Sequence, residues 1–315
     1  MDPRPRQGPE WTVRAAAGGV GRRGRSPVAD TGAVTTRSRD AGTPIARAYA
    51  GQVADAGGDW CSHVAFVDAG GAVESVIVDD IDQLVHGYSV QKLAVATAVL
   101  AKVDRGELDL GHTVEVREDE ILGGSGIYVL QPVWGDRVTV ANVLTAMLLV
   151  SDNTAVRLCG RLVPAREVND LLRANGFAHT RVRPAADPHR FELGVTTPRE
   201  THELLARLAA RTLLAPSSCD FLLRVLRSLS GYHDGIRRDM SSAERARVAT
   251  KHGADFNARG AARHEVGIMF STSGVPAMTY AFFAEALGDR DNYGATHPGV
   301  RAHAALGRVL LDAVS

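Results

Sequence analysis

Residues 86–100, "HGYSVQKLAVATAVL", place a serine and a lysine three positions apart at the start of an apolar run. The run favours a helix, in which positions i and i+3 lie on the same face. Ser89 and Lys92 are therefore predicted to be neighbours in the first turn. One interpretation is a hydroxyl that is deprotonated by an amine. The other is a simple helix start, with Ser89 as the cap and Lys92 extending its charge to solvent.

Length and composition set the class of protein. The chain has 315 residues, 45% of them hydrophobic, with 36 basic and 36 acidic side chains. This is enough for one large domain or for two lobes that share a cleft. A net charge of zero gives no electrostatic reason to expect nucleic acid or an anionic membrane as a partner. The cysteines Cys61, Cys159 and Cys219 are odd in number and far apart, so they predict buried free thiols and no disulfide or metal site.

The first 42 residues differ from the rest of the chain. They are rich in arginine, glycine and alanine and contain few large apolar residues, which predicts a disordered tail before a folded domain at 43–315. Their best apolar stretch, "AAAGGV" at 15–20, is too short for the apolar part of a secretory signal. No apolar run approaches the ~18 residues that a membrane span needs. We therefore expect a cytoplasmic protein.

Hydrophobic periodicity predicts an α+β protein. Helical spacing covers residues 43–58, the run from Ser89, two segments in 139–163, and then 165–176, 197–212, 219–231 and 299–314. Alternating strand patterns cover a hairpin at 63–80 and three successive strands at 247–256, 264–272 and 277–286. The segments 43–85 and 213–315 would form one antiparallel sheet with flanking helices, and 86–212 a mainly helical inserted lobe. A cleft between two such lobes is a common place for an active site.

Two further motifs have both a structural and a chemical interpretation. Ser-Asp-Asn at 151–153 separates two apolar helical segments, and serine and aspartate are good helix N-caps. Lys-His-Gly at 251–253 lies on a predicted strand, where it would otherwise be a charged strand residue beside a bulge glycine. Each motif by itself is weak. Their order after Ser-x-x-Lys is what points to chemistry.

Ser-x-x-Lys, Ser-Asp-Asn and Lys-x-Gly, in this order, form the motif set of class A β-lactamases and penicillin-binding proteins. The chain resembles the class A β-lactamase and related penicillin-recognising serine hydrolase family over roughly residues 45–315. The likeness includes "GGSGIYVLQP" before the second motif and "TTPRE" after it. The resemblance implies a β-lactamase/transpeptidase-like fold, with an antiparallel five-stranded sheet flanked by helices and an inserted all-helical lobe.

The resemblance also assigns roles in catalysis. Ser89 would be the nucleophile and Lys92 its base, because a serine hydroxyl needs an adjacent base and a desolvated lysine beside a second cation has a lowered pKa. Ser151 would pass a proton to the leaving amine, and Lys251 would hold it electrostatically.

The remaining motif residues would bind substrate. Asn153 would hydrogen-bond Lys92 and a substrate amide. The backbone N–H groups of Ser89 and Ala254 would form the oxyanion hole, next to Gly253 of the Lys-x-Gly motif. No cofactor and no metal are implied.

Two departures from the family pattern affect the expected activity. His252 occupies the place of a threonine whose hydroxyl contacts the substrate carboxylate. Its imidazole would bind the same anion, narrow the pocket for another one, or face away as an ordinary strand residue. The stretch 180–197 lacks the family's Glu-x-x-Leu-Asn pattern, whose glutamate activates the deacylating water. Asp187 or Glu192 would have to replace it; otherwise the acyl-enzyme is released slowly, or by an acceptor other than water.

The sequence therefore predicts a serine hydrolase that acts through acyl-Ser89 on a small anionic β-lactam, amide or ester, and that deacylates β-lactams poorly. One alternative is an intracellular esterase, amidase or acyltransferase of specialised metabolism. Another is a non-catalytic domain that binds or senses β-lactams. This last alternative is disfavoured because a protein that only binds need not keep all of the catalytic motif residues. The chain keeps Ser89, Lys92, Ser151, Asn153 and Lys251.

Overall fold

The structure is a computed structural model that describes residues 36–67 and 73–315. These residues belong to one compact unit, Val34–Ser315. Residues 1–35 of the tail predicted at 1–42 lie outside the described residues. The turn of the predicted hairpin, at 68–72, also lies outside them. No helix in the described ranges is both long enough and apolar enough to cross a membrane.

The described elements alternate between helices and strands. The helices are α1 (Thr36–Ala56), α2 (Lys92–Asp104), α3 (Val140–Leu149), α4 (Asn153–Leu162), α5 (Ala165–Ala174), α6 (Pro198–Ala209), α7 (Pro216–Leu226), α8 (Ser242–Arg245) and α9 (Pro298–Ala313). The strands are β1 (Asp59–Val67), β2 (Val73–Asp79), β3 (Val85–His86), β4 (Thr113–Glu115), β5 (Arg137–Thr139), β6 (Arg181–Pro184), β7 (Phe191–Thr196), β8 (Val248–Asn257), β9 (Gly260–Phe270) and β10 (Pro276–Leu287).

One antiparallel sheet organises the molecule, with its strands in the order β2-β1-β10-β9-β8. The N-terminal and C-terminal parts of the chain meet where β1 pairs with β10, with Val64 opposite Tyr280. The α+β class and the five-stranded antiparallel sheet predicted from the sequence are confirmed. Strand β8 ends the sheet on one side, and no other described strand pairs with its outer edge.

The sheet separates two hydrophobic clusters. On one face, α1 and α9 pack against each other and against the strands through side chains such as Tyr49 and Leu310. On the other face, the strands pack against α6 and α7, and α2 belongs to the same cluster. Because side chains of a strand alternate between its faces, the neighbours Phe282 and Phe283 of β10 belong to opposite clusters.

Helix α2 lies inside the second cluster and is buried from Lys92 to Ala101. A helix that is apolar on every side belongs in a core rather than at a surface. Its N-terminus contacts β8, the free edge of the sheet, through the 3₁₀ turn Tyr88–Gln91. The fold therefore places the start of α2 at the junction between the sheet and the inserted lobe.

The structure adds short elements that the sequence did not predict, such as the β4–β5 pair, and it differs from the prediction at the start of α1 and at 180–197. Helix α1 begins at Thr36 and contains Pro44, so Thr43 is not its start. A proline has a helical φ and can lie inside a helix, although there it removes one hydrogen bond and crowds the carbonyl four residues earlier, so it does not by itself mark a helix start. The region 180–197 is not an irregular loop: it forms the β6–β7 hairpin, which pairs with β3. Strand β6 is short and carries two arginines, so no apolar pattern marks it. Strand β7 does alternate, with Phe191, Leu193 and Val195 at every second position, but it is only six residues long.

The cysteines are buried free thiols, as predicted. Burial raises the pKa of the Cys159 thiol to about 12, which keeps it protonated and unreactive at neutral pH. Among the described residues, no group of three or more histidine, cysteine, aspartate or glutamate side chains is placed to bind a metal ion.

Candidate active site

Ser89 lies in the 3₁₀ turn that leads directly into α2. The Val90 N–H closes this turn by donating to the Gly87 carbonyl at 3.0 Å. Tyr88 has a φ of +43°, in the left-handed region that is strained for residues with a side chain. Neither the turn nor α2 has a side-chain cap, so the interpretation of Ser89 as a helix cap is wrong.

The amine of Lys92 is fully buried and surrounded by three hydrogen-bond acceptors. Its Nζ donates to the Ser151 carbonyl at 2.5 Å, to Ser151 Oγ at 3.1 Å and to Asn153 Oδ1 at 2.8 Å. The interpretation of Lys92 as a lysine that extends to solvent is therefore wrong. Within the described residues, Nζ makes no hydrogen bond to Ser89 Oγ. Catalytic hydrogen bonds of this kind are often long before substrate binds.

Ser151 Oγ is the point where the three motifs meet. It accepts hydrogen bonds from Lys92 Nζ at 3.1 Å and from Lys251 Nζ at 3.0 Å. All three side chains are at most 1% exposed. Ser151 connects α3 to α4 with a φ of +57°, again in the left-handed region. Burying two amines around one hydroxyl costs free energy, and packing alone does not require it. The arrangement therefore points to a catalytic role.

Burial disfavours the charged form of both amines. It lowers the pKa of Lys92 to about 7, although the Asp152 carboxylate opposes this effect. Burial also lowers the pKa of Lys251 well below its usual range, and the charge of Lys92 lowers it further. Because both amines contact one oxygen, a second positive charge on the pair is disfavoured. The site therefore holds a neutral amine near neutral pH, as a general base requires.

The Asp152 carboxylate binds both the start of α4 and the loop at 121–130. Its Oδ1 accepts a hydrogen bond from the Ala155 N–H at 2.9 Å and so caps α4, as the sequence predicted. Its Oδ2 accepts from the Ile127 and Tyr128 N–H groups at 2.7 and 2.9 Å. At Gly126, where φ is +126°, a Cβ would lie 2.3 Å from the Asp152 carboxylate. The loop at 121–130 is therefore held against the Ser-Asp-Asn motif.

Asn153 links the Lys92 amine to the same loop. Its Oδ1 accepts from Lys92 Nζ, and its Nδ2 donates to the Gly123 carbonyl at 3.0 Å. The hydrogen bond to Lys92 is the one that the family resemblance implies. The contact of Asn153 with a substrate amide stays a prediction.

Strand β8 approaches the Ser89 turn so closely that a side chain on Gly253 would press against the backbone of the turn. A Cβ on Gly253 would lie 3.1 Å from the Gly87 carbonyl oxygen and 3.2 Å from the Ser89 nitrogen. The β8–β9 register runs through Gly253 without a shift, so the interpretation of a bulge glycine is wrong. Ala254 follows directly on this edge strand. The two predicted oxyanion donors therefore lie on segments that contact each other.

His252 lies on the other face of β8 from Lys251, because strand residues alternate. Thr250, on the same face as His252, donates a hydrogen bond to the buried Glu265. The imidazole stacks on Tyr232 with the ring centroids 3.9 Å apart and the planes at 23°. Burial and the nearby amines lower the pKa of His252 well below its usual value, so the ring is neutral at pH 7. This placement favours a ring that faces away from Lys251, and a substrate contact stays a prediction.

Comparison with known proteins assigns the chain to a family. A sequence model of the β-lactamase enzyme family matches residues 75–314. The chain belongs to this β-lactamase enzyme family. The extended-spectrum β-lactamase PER-1 of Pseudomonas aeruginosa is 27% identical to it over 205 residues, which are 62% of this chain and 66% of that relative. The match therefore spans slightly less than two thirds of the relative's length.

Solved β-lactamase structures share the fold. The enzyme from Sphaerobacter thermophilus matches with a TM-score of 0.68 at 24% identity, over 86% of this chain and 97% of that one. A β-lactamase from Xanthomonas campestris pv. campestris matches with a TM-score of 0.71 at 20% identity, over 87% and 99% of the two chains. At these identities the likeness shows the fold alone, and the predicted β-lactamase-like fold is confirmed.

In this β-lactamase-family chain, neither candidate for the deacylating carboxylate forms a hydrogen bond or ion pair with the amines in the described part of the chain. Asp187 and Glu192 lie on the β6–β7 hairpin with 54% and 63% of their side chains exposed. Asp187 pairs with Arg190 at 3.9 Å, and Glu192 pairs with Arg183 at 2.8 Å. In the described part of the chain, the hydrogen bonds of the two amines go to carbonyl, hydroxyl and amide oxygens, and none goes to a carboxylate.

The hairpin itself lies directly against the nucleophile turn. Gln91 Nε2, from the turn, donates to the carbonyls of Val195 at 2.6 Å and Arg181 at 3.2 Å. The Gly87 N–H donates to the Gly194 carbonyl at 3.1 Å. The segment at the position of the family's glutamate loop therefore contacts the site through its backbone, while its carboxylates face solvent.

We expect Asp187→Ala and Glu192→Ala to leave β-lactam and ester turnover within about threefold of the parent, because exposed ion pairs contribute only ~0–1 kcal/mol. Steady-state assays of both variants with nitrocefin and 4-nitrophenyl acetate measure this. A loss of more than tenfold in either variant would place the deacylating base on the hairpin after all.

Proposed function

We propose that the protein is a serine hydrolase that opens a β-lactam, amide or ester through a covalent acyl-Ser89 intermediate. The observation that carries the proposal is the Ser151 hydroxyl, which bridges two buried amines beside the Ser89 turn. An amine with a pKa near neutral pH is the base that a serine nucleophile needs. The family to which the chain belongs supports the same chemistry.

In the proposed acylation, Ser89 Oγ attacks the substrate carbonyl and its proton moves to the neutral Lys92 amine. The oxyanion that forms accepts hydrogen bonds from the Ser89 and Ala254 N–H groups. The protonated Lys92 amine then gives a proton to the Ser151 oxygen. The original Ser151 hydroxyl proton passes at the same time to the leaving nitrogen or oxygen. The carbonyl–leaving group bond breaks, and the acyl group stays on Ser89. Lys251 Nζ donates a hydrogen bond to the Ser151 oxygen and so holds this hydroxyl in position for the transfer.

We propose that deacylation by water is the weak step. A general base contributes typically ~10²–10⁴-fold to a rate, and the two candidate carboxylates lie in exposed ion pairs. Water would have to be activated by the same amines that served acylation. The name of the relative PER-1 describes an extended-spectrum β-lactamase, and fast β-lactam turnover is not carried over to this chain.

The second candidate function is an esterase, amidase or acyltransferase that uses another acyl acceptor. The observation that favours it is the same: the two amines contact no carboxylate among the described residues, so water has no dedicated activating group. His252 stands where the family has a threonine, so the hydroxyl that contacts the carboxylate of a β-lactam is missing. The His252 ring stacks on Tyr232 instead. This difference also supports a substrate other than a typical β-lactam.

Stopped-flow mixing with nitrocefin tests the proposal. We expect a burst of ring opening proportional to enzyme, followed by a steady state at least about 100-fold slower than the burst, because acylation has its base and deacylation lacks one. Intact-mass spectrometry should show the adduct persisting during the slow phase. With 4-nitrophenyl acetate, addition of alcohol or amine acceptors should raise the steady-state rate if acyl transfer is the function.

Two results would contradict the proposal. A nitrocefin steady state as fast as the burst would show an efficient deacylating group. The absence of any adduct, with both nitrocefin and a fluorophosphonate, would favour a non-catalytic binding domain.

A further inference from the structure

We propose that His264, on β9, is a positioning residue that holds the Ser89 turn in its acylating shape. This role rests on the proposed function, because it concerns the rate at which Ser89 is acylated. The His264 Nε2–H donates to the backbone carbonyl of His86 at 3.0 Å. His86 ends β3 three residues before Ser89. No sequence motif marks His264, which the periodicity predicts only as a strand residue.

The position of the proton on His264 is fixed by its other ring nitrogen. The Ala284 N–H, on β10, donates to Nδ1 at 3.1 Å, so Nδ1 carries no proton and Nε2 carries one. Burial lowers the pKa of His264 to about 4, which keeps the ring neutral at pH 7. The imidazole is thus held as a single tautomer with its N–H directed at the His86 carbonyl.

The His264 ring lies beside the Ser89 turn. His264 lies opposite Gly253 on β8 and opposite Phe283 on β10. Since Gly253 has no side chain, the backbone of the turn lies close to β8 at the position that pairs with His264. The imidazole ring centroid lies 5.0 Å from that of Phe283 and 5.5 Å from that of Tyr88, the turn residue with a positive φ. One side chain therefore contacts the turn at both His86 and Tyr88.

The hydrogen bond from His264 to His86 ties the positions of both predicted oxyanion donors to strand β9. The Ser89 N–H belongs to the turn, which His264 holds. The Ala254 N–H belongs to β8, which pairs with β9 at the neighbouring position, Ala254 opposite Arg263. If the turn shifts relative to the sheet, the two donors no longer point at one oxygen. This loss affects the acylation transition state more than the bound substrate, so it lowers the rate constant of acylation rather than weakening substrate binding.

The experiment compares the parent with His264→Phe and His264→Gln. Phenylalanine keeps a flat ring without a donor, whereas glutamine places an amide N–H near the position of Nε2. With 4-nitrophenyl acetate, we expect the rate constant of the acylation burst to fall about 10- to 100-fold in His264→Phe, with the dissociation constant of the substrate within about twofold. In His264→Gln we expect recovery to within about threefold of the parent. The rate of fluorophosphonate labelling should follow the same order.

His303→Phe is the matched control. This buried histidine on α9 stacks on Phe282 on the opposite face of the sheet from the Ser89 turn. It should keep the acylation rate of the parent. If His264→Phe does not fold, the smaller His264→Leu gives the same comparison with His264→Gln.

The outcomes separate this role from the proposed function. Equal acylation rates in the parent and in His264→Phe would overturn the positioning role and leave the proposed function intact. Equal losses in His264→Phe and His264→Gln, or a loss confined to the dissociation constant of the substrate, would also overturn it. A parent that neither probe acylates would overturn the proposed function, and the positioning role with it.

Discussion

The Ser89→Ala protein should form no covalent adduct with a fluorophosphonate or with benzylpenicillin, and its ester turnover should fall by at least about 1,000-fold. The Ser89 hydroxyl lies at the start of α2, where the aligned backbone N–H groups favour a developing negative charge. The amine of Lys92 follows one turn later. Intact-mass spectrometry after incubation with each reagent should show a single adduct on the parent and none on the variant.

The fold should survive this substitution. Neither the turn nor α2 uses a side-chain cap, so removal of the Ser89 hydroxyl breaks no helix start. We expect the melting temperature to stay within about 2 °C of the parent. Ser218→Ala is the matched control, because the Ser218 hydroxyl binds Asp104 at the other end of α2. It should label like the parent. An adduct on Ser89→Ala would move the nucleophile to another side chain.

The long helices and strands could be predicted because each has a periodic apolar face. The alternation in β9 and β10 indicated two buried strands, and the polar residues at Ser151 and Asp152 indicated the break between α3 and α4. The order of the three motifs then indicated which polar residues would meet. What the sequence did not give is how they meet: at one oxygen, Ser151 Oγ, between Lys92 and Lys251.

The features that the sequence missed depend on contacts between distant segments. The β6–β7 hairpin is held by Gln91 through backbone carbonyls, which have no sequence signature. Tyr232 contacts His252 through a ring stack, and His264 contacts the Ser89 turn through another carbonyl. Such contacts follow from strand register and loop path rather than from local pattern. The cytoplasmic location, the substrate and the acyl acceptor stay predictions.

Replacing Lys92 with methionine should lower the rate constant of acylation by about 10²–10⁴-fold, the range expected when a general base is lost. Methionine has a similar length and fills the buried site, but it has no nitrogen to accept the Ser89 proton. Stopped-flow measurement of the burst with nitrocefin and with 4-nitrophenyl acetate gives this rate constant directly. Binding of substrate before the chemical step should change much less.

The parent's acylation rate should rise with pH and level off above about 7. The neutral amine is the reactive form, and burial lowers the pKa of Lys92 to about 7. Below that pH the neutral fraction falls about tenfold for each pH unit. The Lys92→Met profile should lack this step. A parent rate that still rises tenfold per unit between pH 8 and 10 would mean that Lys92 keeps an ordinary lysine pKa.

Lys92→Arg separates the loss of a base from the loss of a charge, because arginine stays protonated at any pH that a protein tolerates. It should lose as much activity as Lys92→Met, and a retained rate would show that Lys92 acts by its charge alone.

The lowered pKa of Lys92 also makes the folding stability of the parent depend on pH. Between the folded pKa of about 7 and the ordinary value of 10.5, the unfolded chain binds the Lys92 proton that the folded chain has released. Folding stability therefore rises with pH in that range, and the parent should gain melting temperature relative to Lys92→Met between about pH 7.5 and 9.5. The burial that makes Lys92 a base at neutral pH thus also costs folding stability there, so the pH–rate profile and the melting series test a single physical cause.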